Sequence, residues 1–215
     1  IEKARNISKI FKHNFCSIPV STKNESYKEI LNAFGEPFAD PAIIPLHTIY
    51  SDLNKEIKVF IQGDGADEIF AGYNRHKLLK YHSRISPLVK IFSPISEFLP
   101  YRFNRALDLF SGEINSEKLA DLMTVHSKKN NPYQLLTKEM QNFIKESTDH
   151  TKEFKKIFNK YKSKKNNLEI GLLCDLLIQL PTQFLPKVDI TSSLSSVEAR
   201  VPYLDENLVK YALNL

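Results

Sequence analysis

The sequence predicts an α/β protein in which a short parallel sheet belongs to the first third and helices make up the rest. The strongest strand signal is residues 57–61, an apolar, β-branched run of the kind found in buried parallel strands. Segments before and after it have helical periodicity, and such alternation is typical of α/β architecture. Beyond Tyr73 the apolar spacing is helical. The prolines expected to break these later helices are Pro87, Pro94, Pro100 and Pro132.

The elements of the first third are delimited by glycine and proline. Helical spacing before Gly35 ends there, and the proline-containing segment 36–41 cannot continue a helix because proline lacks the backbone N–H. A further helix should begin inside the glycine-rich turn that follows the strand. The elements predicted before that turn are a helix at 1–12, a β-prone segment at 17–21, helices at 25–34 and 43–54, and the strand at 57–61.

Length and composition indicate one ordinary globular domain covering residues 1–215. The chain has 42% hydrophobic and 26% charged residues, which excludes the disordered and fibrous classes. It contains no run of about 18 consecutive apolar residues, and its first residues lack the apolar core of a signal peptide. We therefore expect a cytoplasmic protein with no membrane segment.

Charge and cysteine content argue against two further classes of function. The net charge of +5 raises nucleic acid as a partner, but the lysines are dispersed apart from a cluster at 160–165, which is typical of a solvated loop. We expect no nucleic-acid partner. Cys16 and Cys174 are the only cysteines and lack the spacing of a zinc or redox site.

The turn at 63–68 carries the chemistry. A strand that enters a helix through glycines brings backbone N–H groups and the positive end of the helix dipole to one point, which suits phosphate. Here the turn also carries three carboxylates, which would repel a bare phosphate but could hold it through a bridging Mg²⁺. These carboxylates are Asp64, Asp67 and Glu68.

A purely structural interpretation of the turn is also open. Asp64 could be the N-cap of the helix and Asp67 its partner three residues later, forming a capping box with no further function. The glycine content favours a ligand instead, because Gly63, Gly65 and Gly72 are three of only six glycines in the chain. Helix caps do not require such clustering, whereas close approach of a ligand to the backbone does.

Three sequence blocks resemble the asparagine synthetase family. Gln62-Gly-Asp-Gly-Ala-Asp-Glu-Ile-Phe-Ala-Gly-Tyr73 is similar to the family's SGxGxDExFxGY signature. The earlier segment 36–45 resembles the acidic-Pro, Asp-Pro stretch that precedes it. Near the end, segment 185–205 resembles the KVDxxSMxxSLExRxPFLD block, and Asp175 and Leu180-Pro181 also match family positions. The segment 74–170 carries no signature of this kind.

The resemblance implies a fold and a reaction. It implies a partial Rossmann-like parallel sheet of the adenine nucleotide alpha hydrolase type, followed by a mainly α-helical part. Members of the family use ATP and Mg²⁺ to adenylate a carboxylate, here that of aspartate or a related compound, and release pyrophosphate. Ammonia from a glutaminase domain then displaces AMP. The oligomeric state stays open, with a homodimer among the alternatives.

The resemblance also assigns residues. Asp67 is expected to coordinate Mg²⁺ on the pyrophosphate, and Asp64 to act near the reacting carboxylate in proton transfer from the amine. Lys187, in the KVD position, is expected to contact the phosphates, with Gly63 and Gly65 at the nucleotide. Glu68 is expected to be structural because its side chain should point away from that of Asp67. Glu198 and Arg200 are expected to form a structural ion pair.

Departures from the pattern leave the substrate open. Gln62 replaces the usual serine, Ile190 stands where many members carry arginine or lysine, and Ser193 replaces a common methionine. The alternatives are an amide synthetase acting in β-lactam, lasso-peptide or surface-polysaccharide chemistry, and a noncatalytic scaffold or nucleic-acid-binding helical domain.

The chain by itself is expected to be inactive. The family's ATP-binding loop has the form SGGxDS, and this sequence contains no Gly-Gly pair. Its Ser111-Gly112 follows a helical apolar pattern and is typical of a helix C-terminus. The family's glutaminase uses an N-terminal cysteine, whereas both cysteines here are internal. The expectation is a fragment, from truncation or a split gene, that begins inside the synthetase domain.

Overall fold

The computed structural model of this chain describes residues 1–20, 27–36, 38, 40–53, 56–92, 110–123, 135–147 and 151–215. Those residues are mostly helical, with one small parallel sheet of two strands. This architecture is compatible with the predicted α/β class, and the Rossmann-like sheet stays a prediction. The chain divides into two compact units, residues 1–62 with 183–202 and residues 63–182 with 203–215.

The described residues of the first unit form four helices and the sheet. Its core includes Ile30 and Tyr50, which are completely buried, together with Val188 and Val197. The elements are α1 (Glu2–Ile10), α2 (Tyr27–Phe34), α3 (Ile43–Leu53), β1 (Val59–Ile61), α10 (Leu185–Leu194) and β2 (Glu198–Arg200). Helix α10 packs against α2, α3 and β2. The predicted elements at 1–12, 25–34, 43–54 and 57–61 are all present, and their bounds agree with the prediction to within two residues over the described part of the chain.

The β-prone segment predicted at 17–21 is not a strand. Its described residues, 17–20, are neither helical nor paired with another strand. Pro19 lies in the middle of the segment and has no N–H to donate to a ladder. A local propensity without a partner strand does not suffice to make a β-strand.

The strand at Val59–Ile61 is parallel, as predicted, but it is not buried. It pairs with β2 in the register Val59↔Glu198 and Ile61↔Arg200. Val59 and Ile61 share one face of the strand, and they are 41% and 70% exposed. Phe60 on the opposite face is half-buried and contacts the Tyr50 ring edge-on, with 5.7 Å between centroids. Within the described residues β1 has one neighbouring strand and one exposed face, so the expectation of a buried strand is wrong for this structure.

The second unit is helical. Its helices are α4 (Ala66–Phe70), α5 (Asn74–Phe92), α6 (Ser116–Met123), α7 (Lys138–Ser147), α8 (Lys152–Tyr161), α9 (Asn167–Cys174) and α11 (Glu206–Ala212). A π-helical segment, Asp175–Phe184, follows α9, and a 3₁₀ turn, Pro202–Leu204, precedes α11. Its core is formed by Leu79, Ile114, Leu119, Ala120, Phe154, Ile170 and Cys174.

Two local features explain the course of these helices. Helix α9 begins with a capping box in which the Asn166 side chain and Glu169 satisfy each other's backbone N–H groups. Helix α5 continues through Pro87 to Phe92, so the predicted break at Pro87 is wrong. Proline removes one helical hydrogen bond, and here the rest of the helix tolerates that loss. The other prolines expected to break helices, 94, 100 and 132, lie outside the described residues.

One helical stretch, Asn167–Leu194, is long and apolar enough by length and composition to cross a membrane. The same stretch contains Asp175, which is completely buried and forms an ion pair with Arg75. Ile170 and Cys174 of the same stretch belong to the core of the second unit, although only 33% of its most apolar window is buried. The absence of a membrane segment therefore stays our prediction.

Candidate active site

The acidic turn lies between β1 and α4 and is shaped by Gly65. Gly65 is the N-cap of α4, with φ of 95° and ψ of −22°, and no side chain caps the helix. Asp64 precedes the cap and is half-buried, whereas Asp67 lies inside the helix and is exposed. The capping-box interpretation of Asp64 and Asp67 is therefore wrong. The two carboxylates need another explanation than helix capping.

Two of the three clustered glycines have structural reasons within the second unit. A Cβ on Gly65 would lie 2.5 Å from a methyl carbon of Leu204, and its positive φ disfavours other residues. A Cβ on Gly72 would lie 1.8 Å from Asp67 Oδ1. Gly63 differs, because no described atom outside its two chain neighbours lies within 4 Å of the position its Cβ would take. Of these three glycines, Gly63 alone has open space beside its backbone within the described residues.

Glu68 faces the protein interior, as its structural interpretation predicted. It is 2% exposed, and the Tyr73 hydroxyl donates a hydrogen bond to Glu68 Oε1 at 2.6 Å. Burial and the neighbouring Glu68 carboxylate raise the pKa of the Tyr73 phenol well above its usual range. The phenol therefore stays protonated and remains a hydrogen-bond donor at neutral pH.

A buried polar cluster follows directly on the signature segment. Arg75 Nη2 donates to Asp175 Oδ1 at 2.8 Å and to Gln179 Oε1 at 3.0 Å. His76 Nε2 lies 2.6 Å from Asp175 Oδ2, and Gln179 donates to the Met123 carbonyl at 2.7 Å. Asp175 is completely buried at the start of the π-helical segment. Sequence reasoning identified Asp175 by its family position but missed Arg75 and His76. The one feature that could have pointed to these two residues is their position directly after the signature segment.

Lys187 lies in the first unit and has an acidic partner. Its Nζ is 2.9 Å from Asp40 Oδ2, and the side chain passes the Phe184 ring at 5.0 Å. Lys187 is 8% exposed. Asp40 also accepts a hydrogen bond from the Ala42 N–H at 2.9 Å. The sequence missed Asp40 as a partner, although it belongs to the acidic-Pro, Asp-Pro stretch that carried part of the resemblance.

The two remaining predicted residues pair with each other. Arg200 Nε donates to Glu198 Oε1 at 2.7 Å, on one face of β2, and both side chains are exposed. The predicted ion pair is confirmed. Because exposed pairs contribute little to stability, its structural effect is small.

A magnesium ion fits this turn only if other molecules supply most of its ligands. Among the residues that the structure describes, no three His, Cys, Asp or Glu side chains form a ready metal site. Mg²⁺ is commonly held by one or two carboxylates, with phosphate oxygens and water completing the octahedron. The exposed Asp67 carboxylate can serve as such a single protein ligand.

The family model for asparagine synthase matches residues 6–215. The chain belongs to the asparagine synthase family. It is 28% identical over 217 residues to glutamine-hydrolysing asparagine synthetase 1 of Bacillus subtilis strain 168, a match that covers 94% of this chain and 30% of the relative. The chain thus spans less than a third of that relative's length. No solved structure matches the chain.

Shorter matches agree with this assignment. Putative glutamine-hydrolysing asparagine synthetases of Mycobacterium bovis and Mycobacterium tuberculosis are 32% identical over 94 residues, covering 42% of this chain and 14% of each relative. Family membership confirms the resemblance that the three sequence blocks indicated.

The structure shows a partner for one residue that departs from the asparagine synthase pattern, Gln62. The Gln62 amide nitrogen donates a hydrogen bond to the hydroxyl of Tyr50, a buried residue of α3. The usual serine could not reach as far. Ile190 and Ser193 lie on α10, and nothing in the structure explains those two replacements.

Proposed function

We propose that this chain takes part in ATP-dependent formation of asparagine. In the proposed reaction the side-chain carboxylate of aspartate attacks the α-phosphorus of ATP, forming an acyl-adenylate and releasing pyrophosphate. Ammonia then attacks the acyl carbon, AMP leaves, and the surplus proton passes to a base. The observation that supports this proposal is the exposed carboxylate of Asp67 within the family's signature segment, four residues after Gly63, whose own surroundings are open among the described residues.

Each proposed site residue has a role that its setting allows. Asp67 is the proposed protein ligand of Mg²⁺, which when bound offsets the charge that gathers on the departing pyrophosphate. Asp64 is proposed to accept the proton of the attacking amine, and Gly63 and Gly65 to border the nucleotide. Lys187 is proposed to contact the phosphates. An ammonium group has three N–H donors, so its ion pair with Asp40 leaves donors for a phosphate.

The test is exchange of labelled pyrophosphate into ATP by the protein purified from its own host, with aspartate and Mg²⁺. Asp67→Asn keeps the size of the side chain but removes a charged ligand, and it should slow exchange by about a hundredfold or more. Asp52→Asn changes another exposed carboxylate, on α3, and should leave exchange unchanged. Near-normal exchange by Asp67→Asn would refute the metal role.

A second candidate is the same chemistry on a different carboxylate. Gln62 supports it, because this residue type is unusual for the family and stands immediately before the acidic turn. Its side chain is held there by the hydrogen bond to Tyr50. Exchange that is driven by other carboxylates and ignores aspartate would favour this candidate. Localisation in the cytoplasm and a homodimeric state remain proposals.

A further inference from the structure

Tyr73 joins the acidic turn to the buried polar cluster. Its hydroxyl donates to Glu68 Oε1 at 2.6 Å. The Arg75 guanidinium lies over its ring with 3.9 Å to the centroid. Its backbone N–H donates to His76 Nδ1 at 3.3 Å. Three separate groups of one residue are thus engaged by three partners, which leaves the ring little freedom to move.

The partners of Tyr73 are themselves anchored on Asp175. Because His76 Nδ1 accepts the Tyr73 N–H, its proton is on Nε2, which faces Asp175 Oδ2 at 2.6 Å. Arg75 reaches the other oxygen of the same carboxylate at 2.8 Å. Within the described part of the chain, the Arg75 Nε–H is buried without a hydrogen-bond partner. The guanidinium thus forgoes one hydrogen bond and keeps its place over the Tyr73 ring.

The same arrangement confines Asp67. Its Oδ1 lies against the Cα of Gly72, where a Cβ would come within 1.8 Å, and the Gly72 N–H donates to the Asp67 carbonyl at 3.0 Å. Gly72 directly precedes Tyr73, and Glu68 directly follows Asp67. The residues next to Asp67 and Gly72, which are Glu68 and Tyr73, are therefore held together by their own hydrogen bond.

We propose that Tyr73 is a positioning residue for the Asp67 carboxylate, and that Arg75 and Asp175 hold Tyr73 in place. The inference rests on the proposed function, since it assigns Asp67 to metal-bound pyrophosphate. Burying Glu68 and Tyr73 as a polar pair carries a desolvation penalty that an apolar pair of similar volume would avoid. Unlike apolar packing, a hydrogen bond constrains the relative orientation of its two partners. Here that constraint orients the acidic turn.

The experiment measures binding of Mn²⁺ with inorganic pyrophosphate to the purified 215-residue chain, by the loss of the free Mn²⁺ electron paramagnetic resonance signal. Tyr73→Phe removes only the hydroxyl and should weaken binding about tenfold, as is typical of residues that orient a metal ligand. Arg75→Lys keeps the charge but loses the planar stack and should weaken binding in the same direction. Tyr81→Phe and Arg84→Lys change exposed residues of α5 and should bind as wild type does.

Two further readouts separate positioning from general stability. Tyr73→Phe leaves the buried Glu68 carboxylate without this donor, so its melting temperature should fall by a few degrees. Binding is therefore compared at a temperature at which circular dichroism shows the variant to be folded, so that weaker binding is not caused by unfolding. Glu68→Gln combined with Tyr73→Phe should weaken binding by less than the product of the two single effects, because both remove the same hydrogen bond. Effects that multiply independently would overturn the inference.

The outcomes distinguish the two proposals. If Asp67→Asn abolishes binding but Tyr73→Phe and Arg75→Lys bind as wild type does, the positioning role is wrong and the proposed metal role stands. If Asp67→Asn binds as wild type does, or the wild-type chain binds no Mn²⁺ with pyrophosphate, the metal role is wrong and the inference falls with it. If Tyr73→Phe and Arg75→Lys both unfold the chain, the cluster is structural and the inference is again overturned.

Discussion

Lys187 and Asp40 are 147 positions apart in the sequence and form an ion pair with 2.9 Å between Nζ and Oδ2. Both side chains are nearly buried. The pair joins the acidic-Pro, Asp-Pro stretch to the KVD block, two segments that the sequence could relate only through their order in the family. It brings α10 and the segment before α3 together inside the first unit.

Removing one member of this pair should destabilise the first unit. Lys187→Met leaves a buried carboxylate without its counter-charge, and we expect a loss of about 3 kcal/mol in the free energy of unfolding. Adding Asp40→Asn should recover part of the loss, since asparagine can still accept the Ala42 N–H. Urea denaturation gives both values. A Lys187→Met variant as stable as wild type would contradict the burial of the pair.

Gly65→Ala should be more damaging than Gly35→Ala. Both glycines have positive φ, 95° and 68°, so alanine is strained at each by about 1 kcal/mol. At Gly65 the new methyl would also meet Leu204 at 2.5 Å, whereas at Gly35 no described atom outside the two chain neighbours lies within 4 Å of it. We expect the extra clash to add roughly 1–3 kcal/mol. Equal losses in urea denaturation would show that Leu204 moves aside freely.

The two cysteines should differ sharply in reactivity. Burial, with a smaller effect of Asp175, raises the pKa of the Cys174 thiol to about 12, whereas Cys16 is exposed. Because the thiolate is the reactive form, iodoacetamide at about pH 8.5 should label one thiol per native chain and two in urea. Mass spectrometry counts the labels. The control is Cys16→Ser, which should take up none when native, and labelling of that variant would contradict the burial of Cys174.

Acid should weaken the second unit partly through His82. Burial and then the Lys118 charge lower the pKa of His82, whose ring stacks on Phe110. In the unfolded chain the His82 imidazole binds a proton near pH 6.5, roughly the ordinary histidine value. In the native protein His82 binds that proton only at a lower pH. Stability is therefore lost as the pH falls below that value and down to the lowered native pKa.

The corresponding measurement compares two histidine variants. Between roughly pH 7.5 and 5.5, His82→Gln should lose less unfolding free energy than wild type, and His13→Gln, which changes an exposed ring, should match wild type. Identical pH dependence of wild type and His82→Gln would show that His82 is protonated equally in both states.

The 215-residue chain alone should not exchange pyrophosphate into ATP with aspartate and Mg²⁺. Tandem glycines let backbone N–H groups surround a pyrophosphate, and this sequence contains no Gly-Gly pair. Robust exchange by the purified chain would show that such a loop is unnecessary. The same preparation should still bind Mn²⁺ with pyrophosphate through the acidic turn, which separates binding from turnover.

Much of the local structure could be predicted because its signals are local. Gly35 and the prolines after it allowed the end of α2 to be predicted. The glycines at 63 and 65 allowed the start of α4 to be predicted to within a few residues. Helical spacing gave α1 and α3 within a few residues. The same kind of reasoning failed at Pro87, because local propensity cannot say whether the rest of a helix is stable enough to tolerate a proline.

The sequence by itself determined the family and the identity of the acidic turn, because three ordered blocks and the carboxylate spacing are properties of the chain order. Tertiary structure alone decided which of these residues face solvent and which are paired. Asp67 is exposed, whereas Glu68 is buried and accepts a hydrogen bond from Tyr73. Asp175 accepts a hydrogen bond from Arg75, which lies 100 positions earlier in the sequence. Such partners depend on how distant segments pack, and neither charge nor spacing along the chain encodes the distance between two side chains in the folded protein.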